Sequence, residues 1–131
     1  MKLTAHKFDL EEEATEALID TTISALKSEP DSFAILGKDE MNYVQALKTE
    51  KGFVVQFQNG SLDEHYEFNT YLSRPQTIGL FKEYFFGNKN WQGNLEYSKV
   101  DLRGFAGRFG LMIGRLLGGF VRGFKDAKRK T

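Results

Sequence analysis

Leu10, Ala14, Leu18 and Ala25 recur at helical spacing, with Ile19, Ile23 and Leu26 beside them. Apolar residues three and four apart share one helix face, so residues 10–27 read as an amphipathic helix. Asp9 stands where an N-cap belongs. Glu11, Glu12 and Glu13 follow in the first turn, where the helix dipole favours anions. Ser28-Glu29-Pro30 ends the pattern. The glutamate run reads as a solvated helix face rather than a cation site.

The period then changes from helical to alternating. Phe33-Ala34-Ile35-Leu36 is a short apolar run before Gly37. In 41–48, Met41, Tyr43, Gln45 and Leu47 share one face. In 53–57, Phe53, Val55 and Phe57 share one face, and Gln56 and Gln58 face away. In 64–68, Glu64, Tyr66 and Phe68 alternate with His65 and Glu67. Glu50-Lys51-Gly52 and Asn59-Gly60 are turn signals between these runs. The pattern predicts three or four antiparallel strands with one buried face.

Ser73-Arg74-Pro75-Gln76 opens a second helix with a capping box, and proline is tolerated in the first turn. Ile78, Phe81 and Phe85 form its inner stripe, widened by Leu80 and Tyr84. Gly87-Asn88 closes it. Trp91, Leu95, Tyr97 and Val100 suggest another short strand or an extended packing segment.

Residues 102–125 have a third character. On a helical wheel, Leu102, Phe105, Phe109, Met112, Ile113, Leu116, Leu117, Phe120 and Phe124 fall in one arc. Gly107, Gly110, Gly114 and Gly118 lie beside it, and Arg108, Arg115 and Arg122 lie opposite. Three chemically distinct faces at one period predict a long amphipathic helix. Each glycine costs about 0.8–1 kcal/mol relative to alanine, so the seven here cost on the order of 6 kcal/mol. Such a helix needs a surface to pack on.

Charge separates the same two parts. The net charge over 131 residues is zero, yet residues 1–100 carry ten basic and sixteen acidic side chains. Residues 101–131 carry eight basic and two acidic ones. The chain therefore divides into an acidic α+β domain, 1–100, and a basic Gly/Phe/Arg-rich tail, 101–131. The absence of cysteine excludes a disulfide scaffold, a thiol nucleophile and a cysteine-based zinc or iron–sulfur site. Two histidines leave little for a metal centre, so no metal and no cofactor is expected. The start lacks a secretory pattern and no run suits a conventional spanning helix, so a cytoplasmic protein is expected, peripheral at the inner face of the membrane if the tail binds lipid.

The pattern Tyr43-Val44-Gln45, then Gly52-Phe53-Val54-Val55-Gln56-Phe57, then Asn59-Gly60-Ser61-Leu62-Asp63-Glu64-His65-Tyr66, a helix from Ser73, and Trp91 with Glu96 resembles a group of small bacterial proteins without assigned activity. Some of these are similar to the immunity proteins of polymorphic toxin systems. The resemblance covers roughly residues 33–100. It implies a non-catalytic, immunity-like binding role.

Few residues suggest chemistry. Asp63, Glu64 and His65 follow a turn, but Glu64 and His65 are strand neighbours and point to opposite faces, so they read as a surface turn rather than an acid–base pair. Ser61 lacks a nucleophile-elbow pattern, and His6 is isolated. Tyr43, Phe53, Phe57, Tyr66 and Phe68 read as core rather than as a ligand pocket. The tail offers three surfaces: a docking face for the body, a second copy of the chain or another, unidentified protein; a membrane-interface helix toward anionic lipid; and a nucleic-acid contact that the acidic body argues against. The expected binding residues are Phe105, Phe109, Met112, Leu116, Phe120, Phe124, Gly110, Gly114, Gly118, Arg108, Arg115 and Arg122. The expected fold is α+β: a small antiparallel sheet with helices on one face, and a long Gly-rich C-terminal helix. The competing class is a small apolar-ligand-binding protein or enzyme, with its pocket between the sheet and that helix.

Overall fold

A computed structural model describes residues 1–100. The tail, and with it the expected C-terminal helix, lies outside the described residues.

The body is α+β, built on an antiparallel sheet of seven strands. In chain order they are β1 (Lys2–Ala5), β2 (Leu10–Glu13), β3 (Phe33–Asp39), β4 (Asn42–Thr49), β5 (Gly52–Asn59), β6 (His65–Phe68) and β7 (Tyr97–Lys99). In space the order is β2-β1-β3-β4-β5-β6-β7. Two helices join them, α1 (Glu16–Ala25) and α2 (Arg74–Phe85), with a five-residue helix α3 (Asn90–Asn94).

The start of the chain departs from the expectation. Leu10–Glu13 is a strand, and the helix begins only at Glu16, with Thr15 as its cap: Leu18 N–H donates to Thr15 Oγ1 at 3.1 Å. Asp9 is not the N-cap of α1; it closes the His6–Phe8 turn in the left-handed region at φ 51°, its N–H donating to the His6 carbonyl at 3.1 Å. The reason is pairing. β1 forms an antiparallel ribbon with β2, registering Lys2 with Glu13 and Thr4 with Glu11. The N-terminal ammonium donates to Glu13 Oε1 at 2.8 Å, and Lys2 Nζ to Glu11 Oε1 at 3.3 Å. The glutamates serve an exposed sheet edge, where charge discourages pairing with another chain.

The central strands follow the alternation. β3 and β4 meet in a tight hairpin organised by Asp39, whose Oδ1 accepts from the Met41 and Asn42 amides at 2.8 and 3.0 Å. These amide donors, with the Asn42 side chain, hold its carboxyl below the usual range. Gly52 starts β5 at φ 131°, and a Cβ there would lie 2.9 Å from the Leu72 carbonyl oxygen, so only glycine fits.

In α2 the capping box forms as predicted. Gln76 N–H donates to Ser73 Oγ at 3.2 Å, and Ser73 N–H donates to Gln76 Oε1 at 2.8 Å. The stripe is rotated from the expected one: Thr77, Leu80, Phe81 and Tyr84 are buried, while Ile78 and Phe85 are only partly so. Trp91 is buried on α3 rather than in a strand.

Arg74 ties the two helices together. Its guanidinium donates to the Ile23 carbonyl, and to those of Ser24 and Leu26 at 3.0 Å each. These carbonyls lie at the end of α1, where that of Ile23 also accepts from the Leu26 N–H and a cation complements the dipole. The same group sits 5.3 Å above the Phe53 ring. Lys82 adds a bridge to Asp20 at 2.6 Å, which raises its pKa.

Candidate functional site

Residues that register across neighbouring strands share a face. Leu3, Leu36, Val44 and Phe57 register in succession, as do Ala34, Ala46 and Val55. With Ile19, Ile23, Leu26, Leu80, Phe81, Tyr84 and Trp91 of the helices they form one core. This is the apolar face. Phe57 lies at its centre: its ring meets those of Tyr66, Phe68, Trp91 and Tyr97 at 4.9–5.5 Å.

The opposite face is also buried, contrary to the single buried face expected. Tyr43 registers with Gln58, Gln45 with Gln56, Gln58 with His65, and Gln56 with Glu67. Gln45, Gln56, Gln58 and His65 are each 0 % exposed. Gln56 and Gln58 do face away from the core, as the alternation requires, but they do not face water. His65 is likewise enclosed rather than part of a surface turn, whereas Asp63 and Glu64 are exposed.

These side chains form one polar network. Gln45 Nε2 donates to Gln56 Oε1 at 2.9 Å, and Gln56 Nε2 to Glu67 Oε1 at 3.0 Å. His65 Nε2 lies 2.6 Å from Gln56 Oε1, and Nδ1 lies 3.0 Å from Gln58 Oε1. Tyr43 Oη is also 3.0 Å from Gln58 Oε1. Burial pushes the imidazole pKa down to about 4 and the Tyr43 phenol up. A neutral ring has one N–H to give. The two nitrogens meet two different glutamine oxygens, Nε2 that of Gln56 and Nδ1 that of Gln58. Gln58 is itself engaged on both ends, its Oε1 accepting from Tyr43 Oη and its Nε2 donating to Met41 Sδ at 3.3 Å. One atom stays unmatched among the described residues: Gln45 Oε1 is buried with no hydrogen-bond partner.

This arrangement holds groups still rather than offering them to a substrate. Both ring nitrogens of His65 are engaged, and Glu64 points to the other face. Tyr66 donates to Glu64, which raises the Tyr66 pKa. Ser61 lies in the exposed turn before β6. His6 sits in a single 3₁₀ turn, His6–Phe8, its ring 5.6 Å from that of Phe33. Phe53, Phe57 and Phe68 are core residues, while Tyr43 belongs to the polar face. Among the described residues no three His, Cys, Asp or Glu side chains group to hold a cation. No described helix is long and apolar enough to cross a membrane.

A cleft of about 570 Å³ opens at one end of the sheet, between the 28–31 loop and the β4–β5 hairpin, lined by Pro30, Phe33, Leu47, Lys48, Lys51 and Tyr71. The pocket expected between the sheet and a C-terminal helix falls outside the described residues. So do all the expected binding residues: Phe105, Phe109, Met112, Leu116, Phe120, Phe124, the three glycines and the three arginines.

The polar network is the feature that sequence reasoning missed. A signal was present: the centres of β4 and β5 carry Tyr43, Gln45, Gln56 and Gln58 on this face and no charged residue. A face open to water usually carries charge there. No family model, curated protein or solved structure matches the chain.

Proposed function

We propose that the chain is a non-catalytic binding protein in which the body presents an attachment segment, residues 102–125, to an anionic membrane surface, a second copy of the chain or another protein. The observation that carries this reading is where the segment begins. β7 is paired to β6, and Val100 N–H donates to the His65 carbonyl at 2.8 Å. The basic, phenylalanine-rich segment therefore starts from a fixed point on the sheet, next to a body of opposite charge. Its apolar arc gains by burial in lipid or protein, and its arginines and cationic end favour anionic headgroups. Capture of a toxin is a specific version of this role, implied by the resemblance over residues 33–100.

Vesicle sedimentation of the full-length chain tests the proposal. The chain is expected to pellet with phosphatidylglycerol vesicles and not with phosphatidylcholine vesicles. Phe109→Asp and Phe120→Asp are expected to leave it in the supernatant. A full-length chain that binds neither vesicle, and scatters light as a monomer, contradicts it.

A further inference from the structure

The cleft at the end of the sheet has walls that backbone bonds hold in place. Lys48 N–H donates to the Ser32 carbonyl at 2.9 Å, and Lys27 N–H donates to Ser32 Oγ at 3.2 Å, which ties the 28–31 loop to β4. On the other wall, Thr49 Oγ1 donates to the Gly52 carbonyl at 2.8 Å and accepts from Lys51 N–H at 3.2 Å, which shapes the β4–β5 turn. Phe53 and Leu72 exchange backbone hydrogen bonds at 2.8 and 2.9 Å, and these set Tyr71 beside that turn. A site built this way exists before a ligand arrives, so little ordering is lost on binding. Its volume, about 570 Å³, falls inside the range of about 300–1,000 Å³ typical of small-molecule sites.

The lining has an apolar part and a charged part. Phe33 and Leu47 register across β3 and β4, and Pro30 and Tyr71 flank them. Phe33 and Tyr71 favour a flat ring, which can pack edge-on or offset against them. Lys48 and Lys51 stand on the hairpin side. Lys48 is held in place: its ammonium donates to the Thr49 carbonyl and lies 5.6 Å above the Phe53 ring. An ammonium carries three N–H groups, so one bond to Thr49 leaves donors for a ligand in the cleft. Across from it, Glu29 is bridged to Lys7 at 3.3 Å, which offsets the acid nearest the loop wall.

We propose that this cleft binds a small aromatic monocarboxylate, with its ring against Phe33, Leu47 and Tyr71 and its carboxylate on the Lys48 ammonium. The acids limit the charge that the site accepts. Glu29, Asp31 and Glu50 surround the same opening, so a multiply charged phosphate is repelled where a single carboxylate needs only one ammonium. The site belongs to the body alone. It goes beyond the attachment reading and uses none of residues 102–125.

The test is a titration of the full-length ¹⁵N-labelled chain at neutral pH, followed by amide shifts. The probes are 1-naphthaleneacetate, its neutral isostere 1-naphthaleneacetamide and the cation 1-naphthylmethylammonium. The carboxylate is expected to give saturable shifts at Phe33, Lys48, Lys51 and Tyr71. Asn42 and Gly60, at the far end of the same hairpin, are expected to stay still. The amide should bind about tenfold more weakly, for loss of a charged hydrogen bond. Lys48→Met should weaken the carboxylate about tenfold and leave the amide as it was, whereas damage to the cleft itself would weaken both. Absence of saturable shifts at the cleft overturns the proposal. So does equal binding of carboxylate and amide, or tighter binding of the cation. These three outcomes are read on the unaltered chain and need no variant to fold. Equal weakening of both ligands by Lys48→Met overturns the role of the ammonium. Vesicle sedimentation is independent of every one of these results, so failure of the attachment reading and failure of this site are told apart.

Discussion

Gln56 and Phe57 are neighbours in β5 and both are buried, yet opposite chemistry encloses them. Phe57 is held by four aromatic rings, which need only shape. Gln56 is held by Gln45, His65 and Glu67, each at a fixed distance and angle. The apolar face gains from every ångström of surface removed from water. The polar face gains little net energy, because its groups exchange water for one another. What it gains is exactness of position, and it loses heavily when one member is left unpaired. The apolar face therefore carries most of the stability, and the polar face sets what fits upon it.

The comparison breaks most clearly at Phe57. Phe57→Ala should cost about 3–5 kcal/mol in urea unfolding, since four rings lose their common partner. An effect below that of a surface substitution would mean the aromatic cluster is not the centre of the core.

The polar face should respond to pH instead. His65 titrates near 4 when folded, against an ordinary value of 6.5. Between those values the unfolded chain binds the proton and the folded chain does not. Stability should therefore fall as pH drops from about 6.5 to about 4, by up to about 1.4 kcal/mol per unit. Unfolding midpoints across that window check this, with His65→Gln as the comparison that should flatten the slope.

Arg74→Met tests the link between the helices. It leaves three carbonyls at the end of α1 without their charged donor and should cost about 1.5–3 kcal/mol. Arg74→Lys should recover less than half, because one ammonium cannot copy the planar fork. The smallest expected effect is Ser73→Ala, about 1 kcal/mol from loss of the capping box.

Local chemistry explains what was legible in the sequence. Ser73-Arg74-Pro75-Gln76 states a helix start through bonds that its own residues make, and it appears where expected. The strands from Phe33 to Phe68 follow a two-residue period that their own alternation carries. Leu10–Glu13 was misread because Leu10, Ala14 and Leu18 imitate a helical stripe. The decisive partners, Lys2 and the N-terminal ammonium, lie across a strand pair, outside the run 10–27 that carries the helical spacing. The same limit hid the polar network. Gln45, Gln56 and His65 meet only through register, and glutamine facing away from a core looks the same in a sequence whether it ends exposed or buried. The role of Arg74 rests on its reaching the end of a helix about fifty residues earlier in the chain.

The most direct test is the NMR titration of the His65 ring in the full-length protein. A buried polar face predicts a neutral imidazole through pH 5, with protonation only near pH 4 and together with loss of structure. A reversible midpoint near 6.5 in the folded chain would show that water reaches the network, and would contradict the account.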